Sequence, residues 1–219
     1  NLEENENDFP TIEIPIFKKN GEIVWISQKV IIRRNDSYKV IGYSGIARDI
    51  TKLKDIEAEH KIRQEKVEEY DKTIKKLSTT NFSNYKNIDF SVMQIIESAA
   101  KVSKCNRVSY WKYSEDRIIC EKLYDLDTNV FSKGYVLEKE KYPIYFESIK
   151  SKKQISAPDV FNKWELSEFV EDYFLKYDIK SQLDIPIFIN GELSGTIRKK
   201  KKKNIRNWDN DDINFARTI

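Results

Sequence analysis

Hydrophobic and polar residues alternate over much of residues 9–50, which predicts β-structure. The alternation is strict at 11–14, and Pro15 then predicts an edge strand or a bulge, because proline cannot donate a hydrogen bond to a neighbouring strand. Asn20-Gly21 lies between two apolar runs, which is a strong signal for a hairpin turn. A second turn is predicted at 35–37. We therefore expect three antiparallel strands, whose apolar face needs a covering layer.

Residues 49–79 contain neither glycine nor proline and are predicted to form one helix, with Asp49 as its N-cap. A narrow stripe with a spacing of three and four residues follows one side of this helix, and its members are Leu53, Ile56, His60, Arg63, Val67, Tyr70, Ile74 and Leu77. The residues between them are nearly all charged or glutamine, so the stripe is typical of a coiled-coil seam. His60 and Arg63 are expected to influence its register. The alternative is a solvated linker helix that packs against its own domains.

Residues 85–219 combine helical and strand patterns, which predicts an α/β unit. Helices are predicted up to Lys104, at 142–151, at 164–176 and from about Asp209. Strands are predicted at 107–113, 118–124, 154–157, 183–189 and 193–197, the last two joined by a second Asn-Gly turn at Asn190-Gly191. The whole chain is therefore expected to be of the α+β class.

The composition limits the classes of function. Of 219 residues, 39% are hydrophobic and 12% aromatic, which argues against wholesale disorder. The 39 basic and 36 acidic residues give a net charge of only +3, which is too balanced to indicate a nucleic-acid-binding protein. No apolar run approaches the length of about 18 residues that a bilayer-spanning helix needs. A membrane segment is therefore not expected in this sequence.

Residue types that carry catalysis and metal binding are scarce. His60 is the only histidine, and Cys105 and Cys120 are too few for a zinc site or a disulfide framework. The two cysteines are expected to be small buried side chains. The sequence contains no glycine-rich phosphate loop, no zinc motif and no nucleophile-elbow motif. We therefore expect no catalytic residue, no metal and no cofactor.

One strongly basic run, from Arg198 through five lysines to Lys203, has two interpretations. It would bind nucleic acid or anionic lipid, or it would form a solvated hairpin tip or loop. No aromatic residue interrupts the run, which favours the solvated loop and no nucleic-acid partner.

Aromatic residues of the α/β unit suggest a cavity between sheet and helices that would take an unknown small molecule. The candidates are Tyr110, Tyr145, Phe146, Phe169 and Tyr173. Small-molecule sites are mostly apolar with few polar anchors, which such residues fit. The alternative is that these side chains only fill the core.

The segment 9–54 resembles the C-terminal half of a PAS domain, the PAC motif. The matching residues are KKNG at 18–21, Trp25, and GYSGIARDIT at 42–51. In that family the triplet Asp49-Ile50-Thr51 would join the last strand to an outgoing signalling helix. The resemblance thus implies a signal-relay role for these three residues.

The segment 85–219 resembles a GAF domain of bacterial sensor proteins. The matching stretches are RVSYW at 107–111, CEKLYD at 120–125, YPIYF at 142–146, SQLDIPI at 181–187, GELSG at 191–195, and Trp208. This resemblance implies a central antiparallel sheet flanked by helices.

Together the two resemblances imply three regions: a partial PAS domain at 1–48, a signalling helix at 49–81 and a GAF domain at 82–219. They imply a cytoplasmic sensory and relay fragment of a bacterial signal-transduction protein, in first place a sensor histidine kinase of a two-component system. The sensory region of a diguanylate cyclase and a stand-alone ligand-binding GAF module are the alternatives. The helix at 49–79 would form a parallel coiled coil in a homodimer, and a shift in its register would transmit the signal.

Overall fold

The computed structural model describes residues 10–80, 88–151 and 154–219. It divides the chain into two compact units, Asn1–Lys66 and Val67–Ile219. The boundary lies inside one long helix, so the second part of that helix belongs with the larger unit. The expected α+β class is confirmed, because antiparallel sheets and helices form both units.

The smaller unit contains the three predicted strands, β1 (Ile12–Phe17), β2 (Ile23–Arg34) and β3 (Val40–Asp49). They form an antiparallel sheet in the order β1-β2-β3, so Pro15 lies on an edge strand as predicted. Gly21 has a φ of +84° in the first hairpin turn, and its N–H donates to the carbonyl of Lys18 at 2.9 Å. The left-handed backbone there explains why glycine follows Asn20.

Helix α1 (Thr51–Thr79) begins directly after β3. The Asp49 carboxylate accepts the Thr51 N–H at 2.9 Å and so satisfies a free donor of the first turn, although it lies one residue before the N-cap position that the sequence predicts for it. The Ile50 N–H donates to the Trp25 carbonyl at 2.8 Å, and the Thr51 hydroxyl accepts the Trp25 N–H at 2.9 Å. The triplet at 49–51 therefore fastens the start of α1 to strand β2.

The larger unit is built on a seven-stranded antiparallel sheet. Its strands are β4 (Arg107–Tyr113), β5 (Arg117–Asp125), β6 (Val130–Ser132), β7 (Val136–Glu138), β8 (Ile155–Ala157), β9 (Ile179–Ile189) and β10 (Glu192–Lys202). The order is β6-β5-β4-β10-β9-β8, and β7 also pairs with β5. Strand β10 lies in the centre because it is hydrogen-bonded to β4 on one side and to β9 on the other.

Helices cover both faces of this sheet. They are α2 (Ile88–Ser103), α3 (Pro143–Lys150), the short α4 (Leu175–Tyr177) and α5 (Asn210–Thr218). One apolar core, which includes Tyr145 and Phe146, lies on the face that α3 covers. A second core, which includes Ile96 and Phe215, lies under α2, α5 and the second part of α1. The sheet therefore separates two cores, and its side chains alternate between them.

The stretch 164–177 differs from the regular helix that its apolar spacing predicts. It starts as a 3₁₀ helix (Trp164–Phe169), widens into a π-helix (Val170–Phe174) and ends in α4. Asp178 then takes a left-handed conformation, with a φ of +51°, and stops the helix. π-helical turns are rare in proteins, and those that occur often lie at functional sites.

The turn between β9 and β10 has Asn190 and Gly191 at φ values of +53° and +87°, which is the geometry that Asn-Gly predicts. Four residues farther along, Gly195 lies against β4. A Cβ atom at Gly195 would lie 2.5 Å from the carbonyl oxygen of Trp111. Only a residue without a side chain fits there without displacing the backbone.

The substitution Gly195→Ala is expected to lower the free energy of unfolding by about 1–3 kcal/mol, because the central strand must move away from β4. Urea unfolding measures this loss. Gly42→Ala is the control, because a Cβ at Gly42 has no heavy atom of the described residues within 4 Å. Equal effects of the two substitutions would contradict the assigned close contact.

Candidate functional site

The basic run at 198–203 is not a solvated loop, and that prediction is wrong. Arg198, Lys199 and Lys200 lie in the central strand β10, and each is at most 2% exposed. Neighbouring strands pair with β10 on both sides and cores cover both faces, so the position in the sheet buries these side chains whatever their charge. They are consequently inaccessible to a nucleic-acid phosphate backbone.

Side chains of this run alternate between the two faces of the sheet. Arg198 and Lys200 point to the face of α3, where both line a cavity of about 250 Å³. Lys199 points to the opposite face, toward Tyr70 and Phe215. Strand β10 therefore presents two cations to a cavity and a third to the helices behind the sheet.

The cavity has mainly aromatic walls. Trp111 comes from β4, Tyr142 precedes α3, and Phe169, Tyr173 and Tyr177 come from the irregular stretch 164–177. Tyr142 and Phe169 stack on each other with ring centroids 4.7 Å apart. The sheet contributes polar lining through Gln182 of β9 and Arg198 and Lys200 of β10, and the irregular stretch adds Asp172 and Lys176. The site is thus an aromatic pocket with a polar floor, which is a common form of small-molecule site.

The Arg198 guanidinium lies between two aromatic rings. Its Cζ atom is 4.2 Å from the ring centroid of Trp111 and 4.5 Å from that of Tyr145. Such cation–π contacts hold the guanidinium plane in one orientation. The carboxylate of Asp184 is close by, with its Oδ2 3.9 Å from Nε of Arg198.

Asp184 is itself fully buried beneath the cavity. Its Oδ2 accepts hydrogen bonds from the Tyr145 hydroxyl at 2.9 Å and from Nε2 of Gln182 at 2.8 Å. Burial raises the pKa of Asp184, and the opposing effect of Arg198 and Lys200 does not fully offset it. Asp184 is thus a buried acidic group close to both cavity cations, Arg198 and Lys200.

Lys200 is positioned by Tyr173. Its Nζ donates to the Tyr173 hydroxyl at 3.0 Å and lies 4.2 Å from the ring centroid. The Arg107 guanidinium also donates to this hydroxyl, at 3.5 Å. Burial alone would raise the pKa of Tyr173, but Lys200 and Arg107 together outweigh burial and lower it. Two cations therefore meet at this hydroxyl, and Arg107 is in addition paired with Asp125 at 2.7 Å.

A second polar cluster lies on the opposite face of the sheet. Tyr70 of α1 stacks on Phe215 of α5, with centroids 4.1 Å apart and an interplanar angle of 11°. The Tyr70 hydroxyl donates to Asp212 at 2.6 Å, and Arg206 donates to the same oxygen at 2.7 Å. Burial, reinforced by Asp212, raises the pKa of Tyr70, so the hydroxyl remains a donor. Helix α1 is thus fixed to α5 by a ring stack and a charged hydrogen bond.

The five aromatic residues that the sequence proposes for a cavity have three different positions. Phe169 and Tyr173 line the cavity, and Tyr145 lies against Arg198. Phe146 is part of the surrounding core, and Tyr110 packs in the core on the other face. The sequence pattern does not identify Arg198, Lys200, Gln182 and Trp111 as cavity residues, because a basic run resembles an exposed loop as long as its neighbouring strands are unknown.

The residues proposed for the seam of α1 fall into an exposed group and a group that packs against the larger unit. Leu53 and Ile56 are about half exposed, at 50% and 43%, and His60 and Arg63 are exposed as well. Val67 is half-buried, whereas Tyr70 is only 3% exposed. Ile74 packs in the same core as Tyr70, and Leu77 lines an apolar groove beside Ile95 and Ile219.

A partner helix therefore has no access to Tyr70, and the seam prediction is corrected at that position. The second part of α1 packs against its own domain because its stripe meets α5, an arrangement that matches the alternative for this helix. The homodimer through the first part of α1 stays a prediction.

The two cysteines, Cys105 and Cys120, are free thiols buried in different cores. Burial raises the pKa of Cys120 to about 11, although Lys200 and Arg198 act in the opposite direction. At neutral pH this side chain is a protonated, unreactive thiol. The expectation of small buried side chains is thus confirmed.

Within the described ranges, no cluster of three or more histidine, cysteine, aspartate or glutamate side chains is arranged to hold a metal ion. In the same ranges, each helix is too short or too polar to cross a membrane.

The sequence matches no family model, and no curated protein is significantly similar to it. Solved structures with a similar fold include GAF domains. A phycocyanobilin-bound GAF domain from a cyanobacterial phytochrome matches 68% of this chain and 88% of its own, with a TM-score of 0.56 and 14% identity. The GAF domain of a phosphoenolpyruvate-protein phosphotransferase from Coxiella burnetii matches 68% of this chain and 86% of its own, with a TM-score of 0.52 and 12% identity.

The corresponding domain from Acinetobacter matches 70% of this chain and 86% of its own, with a TM-score of 0.50 and 12% identity. These likenesses show a GAF fold, which confirms that part of the sequence resemblance. The PAS resemblance of 9–54 stays a prediction.

Proposed function

We propose that this chain is the sensory and signal-relay region of a bacterial sensor histidine kinase. The GAF-fold unit would bind a small molecule in the cavity above β10, and α1 would carry the response. The chain itself would have no catalytic activity.

The observation that carries this proposal is the double-sided strand β10. Arg198 and Lys200 face the cavity, and Lys199 between them lies 4.8 Å from the ring centroid of Phe215 and 5.8 Å from that of Tyr70. In this proposal, a ligand that binds the two cavity cations shifts the strand that also bears Lys199. Because protein interiors are close-packed, such a shift would alter the packing of Tyr70 on α5.

Similar folds support the sensory role. The phytochrome GAF domain with the same fold is bound to phycocyanobilin. A GAF-fold unit with its own aromatic cavity is therefore a reasonable place for a signalling ligand in this chain. The cavity of about 250 Å³ would take a ligand much smaller than a tetrapyrrole.

For the N-terminal unit we propose the C-terminal part of a PAS domain. Its triplet Asp49-Ile50-Thr51 would transmit strain between β2 and α1 through the hydrogen bonds to Trp25. Two copies would pair through the exposed part of α1 around Leu53 and Ile56. A shift in the register of that pairing would transmit the signal.

Closing the mouth of the cavity tests the proposed ligand site. Val136 lines the cavity and is 44% exposed, so Val136→Trp is expected to fill the entrance and to abolish ligand binding without a large loss of stability. Native mass spectrometry and thermal-shift screening of small molecules measure the binding.

Val130→Trp is the matched control for this experiment, because Val130 is a similarly exposed strand valine that does not line the cavity. Binding in the control and none in Val136→Trp would support the proposal. A ligand that binds both variants equally would place the sensory site elsewhere.

A further inference from the structure

Resting on the proposed ligand-binding role of the cavity, we infer that its ligand is a small carboxylate with an apolar, aromatic body. The carboxylate would be bound by Arg198 and Lys200, and the body would lie between the aromatic walls. The ligand class thus follows from charge, hydrogen-bonding capacity and volume.

The charges around the cavity do not balance without a ligand. Arg198 and Lys200 share one buried carboxylate among the described residues near the cavity, that of Asp184, whose Oδ2 lies 3.9 Å from Nε of Arg198. Among the described residues, no carboxylate oxygen lies within 4.0 Å of Nζ of Lys200. At the rim, Asp172 pairs with Lys141. Buried cations without a compensating charge are strongly unfavourable, so the cavity favours an anion.

The Arg198 guanidinium is the group that would bind the anion. Within the described residues, Nε and Nη2 of Arg198 and Oδ1 of Asp184 are buried without a hydrogen-bond partner, so the two side chains are close but not hydrogen-bonded to each other. Because buried donors are nearly always satisfied, a two-oxygen acceptor that enters the cavity would complete the hydrogen bonding of the guanidinium. The planar guanidinium matches a carboxylate in a bidentate arrangement. Its orientation is already fixed by Trp111 and Tyr145.

The Gln182 side chain adds a second feature of the ligand. Its Nε2 is used by Asp184, while its Oε1 is buried and has no hydrogen-bond partner among the described residues. It belongs to a side chain that lines the cavity. It would accept a hydroxyl or N–H group carried by the ligand.

The walls and the volume define the body of the ligand. Trp111, Tyr142, Phe169, Tyr173 and Tyr177 provide aromatic surface on several sides. At roughly 30 Å³ per molecule of liquid water, the cavity of about 250 Å³ corresponds to about eight waters. Benzoate and phenylacetate are of that size, whereas inorganic phosphate has no body to contact the walls. The aromatic surface therefore favours an aromatic carboxylate over a free phosphate.

Isothermal titration calorimetry with the whole 219-residue chain tests this inference. The probes are sodium benzoate and sodium phenylacetate, their neutral amides benzamide and phenylacetamide, and inorganic phosphate. We expect at least one carboxylate to bind at least about tenfold more tightly than its amide, because the amide cannot pair with a buried cation. Phosphate is expected to bind more weakly than either carboxylate.

Variants of the central strand assign the binding to its side chains. Arg198→Met and Lys200→Met are each expected to weaken carboxylate binding by about tenfold or more. Lys199→Met is the matched control, because Lys199 is equally buried in the same strand but faces the opposite core. Its carboxylate affinity is expected to stay within about twofold. If Arg198→Met does not fold, Lys200→Met decides the test.

Each outcome has one meaning. Carboxylate binding that is lost in the two cavity variants and kept in the control supports the inference. Amides that bind as tightly as the carboxylates overturn the anion inference and leave the proposed sensory cavity intact. Tighter binding of phosphate overturns the aromatic body. Absence of binding for every carboxylate overturns the inference, and the Val136→Trp screen then decides the proposed function separately.

Discussion

Replacing Tyr70 with alanine is expected to lower the free energy of unfolding of the GAF-fold unit by about 3–5 kcal/mol. The ring is only 3% exposed and stacks on Phe215 at 4.1 Å. Its removal leaves a cavity between α1 and α5 and deprives Asp212 of a hydrogen bond of 2.6 Å. The cavity and the lost hydrogen bond each lower the free energy of unfolding, in addition to the effect of the lost apolar contact.

Urea unfolding followed by tryptophan fluorescence measures this loss. Tyr70→Phe keeps the ring stack and removes only the hydroxyl, so we expect a smaller loss of about 1–3 kcal/mol. Ile62→Ala on the same helix is the control, because Ile62 is 68% exposed and its truncation is expected to change the free energy by at most about 0.5 kcal/mol. Similar losses for Tyr70→Ala and Ile62→Ala would show that α1 does not pack on α5.

Amide hydrogen exchange along α1 tests whether Tyr70 also fixes the helix that would carry the signal. If Tyr70 fastens α1 to the domain, Tyr70→Ala is expected to increase amide exchange in the second part of α1, from Val67 to Thr79, more than in its first part. The first part has its own attachment through Thr51 and Trp25. Uniform protection along the whole helix would contradict a fixing role for Tyr70.

Local patterns in the sequence predict elements because their physical causes are local. The turn at Asn190-Gly191 needs positive φ values, and the cap at Asp209 needs a side-chain acceptor near the start of α5. Both are present: Asp209 accepts the Asp212 N–H at 2.9 Å within a capping box. These signals require only a few neighbouring residues, so they can be predicted without knowledge of the fold.

The position of β10 cannot be predicted in this way. Lys199 and Lys200 are as polar as the lysines of any exposed loop, and their burial depends on pairing with β4 and β9, which are distant in the sequence. Tertiary position overrides local polarity here. A pair of cations at i and i+2 in a strand, Arg198 and Lys200, is the one signal that points to a shared face.

The same reasoning explains the aromatic residues of the site. Phe169 and Tyr173 lie four residues apart on a helix-like stretch, and both line the cavity. Tyr110 alternates with Trp111 on β4, and the sequence offers no way to decide which of the two faces the cavity. That choice depends on which core each face of the sheet covers.

Replacing Arg206 with methionine is expected to lower the free energy of unfolding by about 3–5 kcal/mol, because it removes one partner of a buried ion pair. The guanidinium donates to Asp212 of α5 at 2.7 Å, to the Tyr70 hydroxyl of α1 at 3.5 Å and to the Ser103 carbonyl at the end of α2. It therefore joins three helices on one face of the sheet. Asp212, at 2% side-chain exposure, would lose the cation that compensates it.

A double-mutant cycle separates the ion pair from general packing. If charge compensation dominates, Asp212→Asn in the Arg206→Met background is expected to cost less than it does alone, and the coupling energy is expected to be about 1–3 kcal/mol. Arg217→Met in the exposed part of α5 serves as the control and is expected to change the free energy by at most about 0.5 kcal/mol. Strict additivity of the two changes would mean that Arg206 stabilises the helices by packing alone. The relay would then depend on the Tyr70 ring stack rather than on charge.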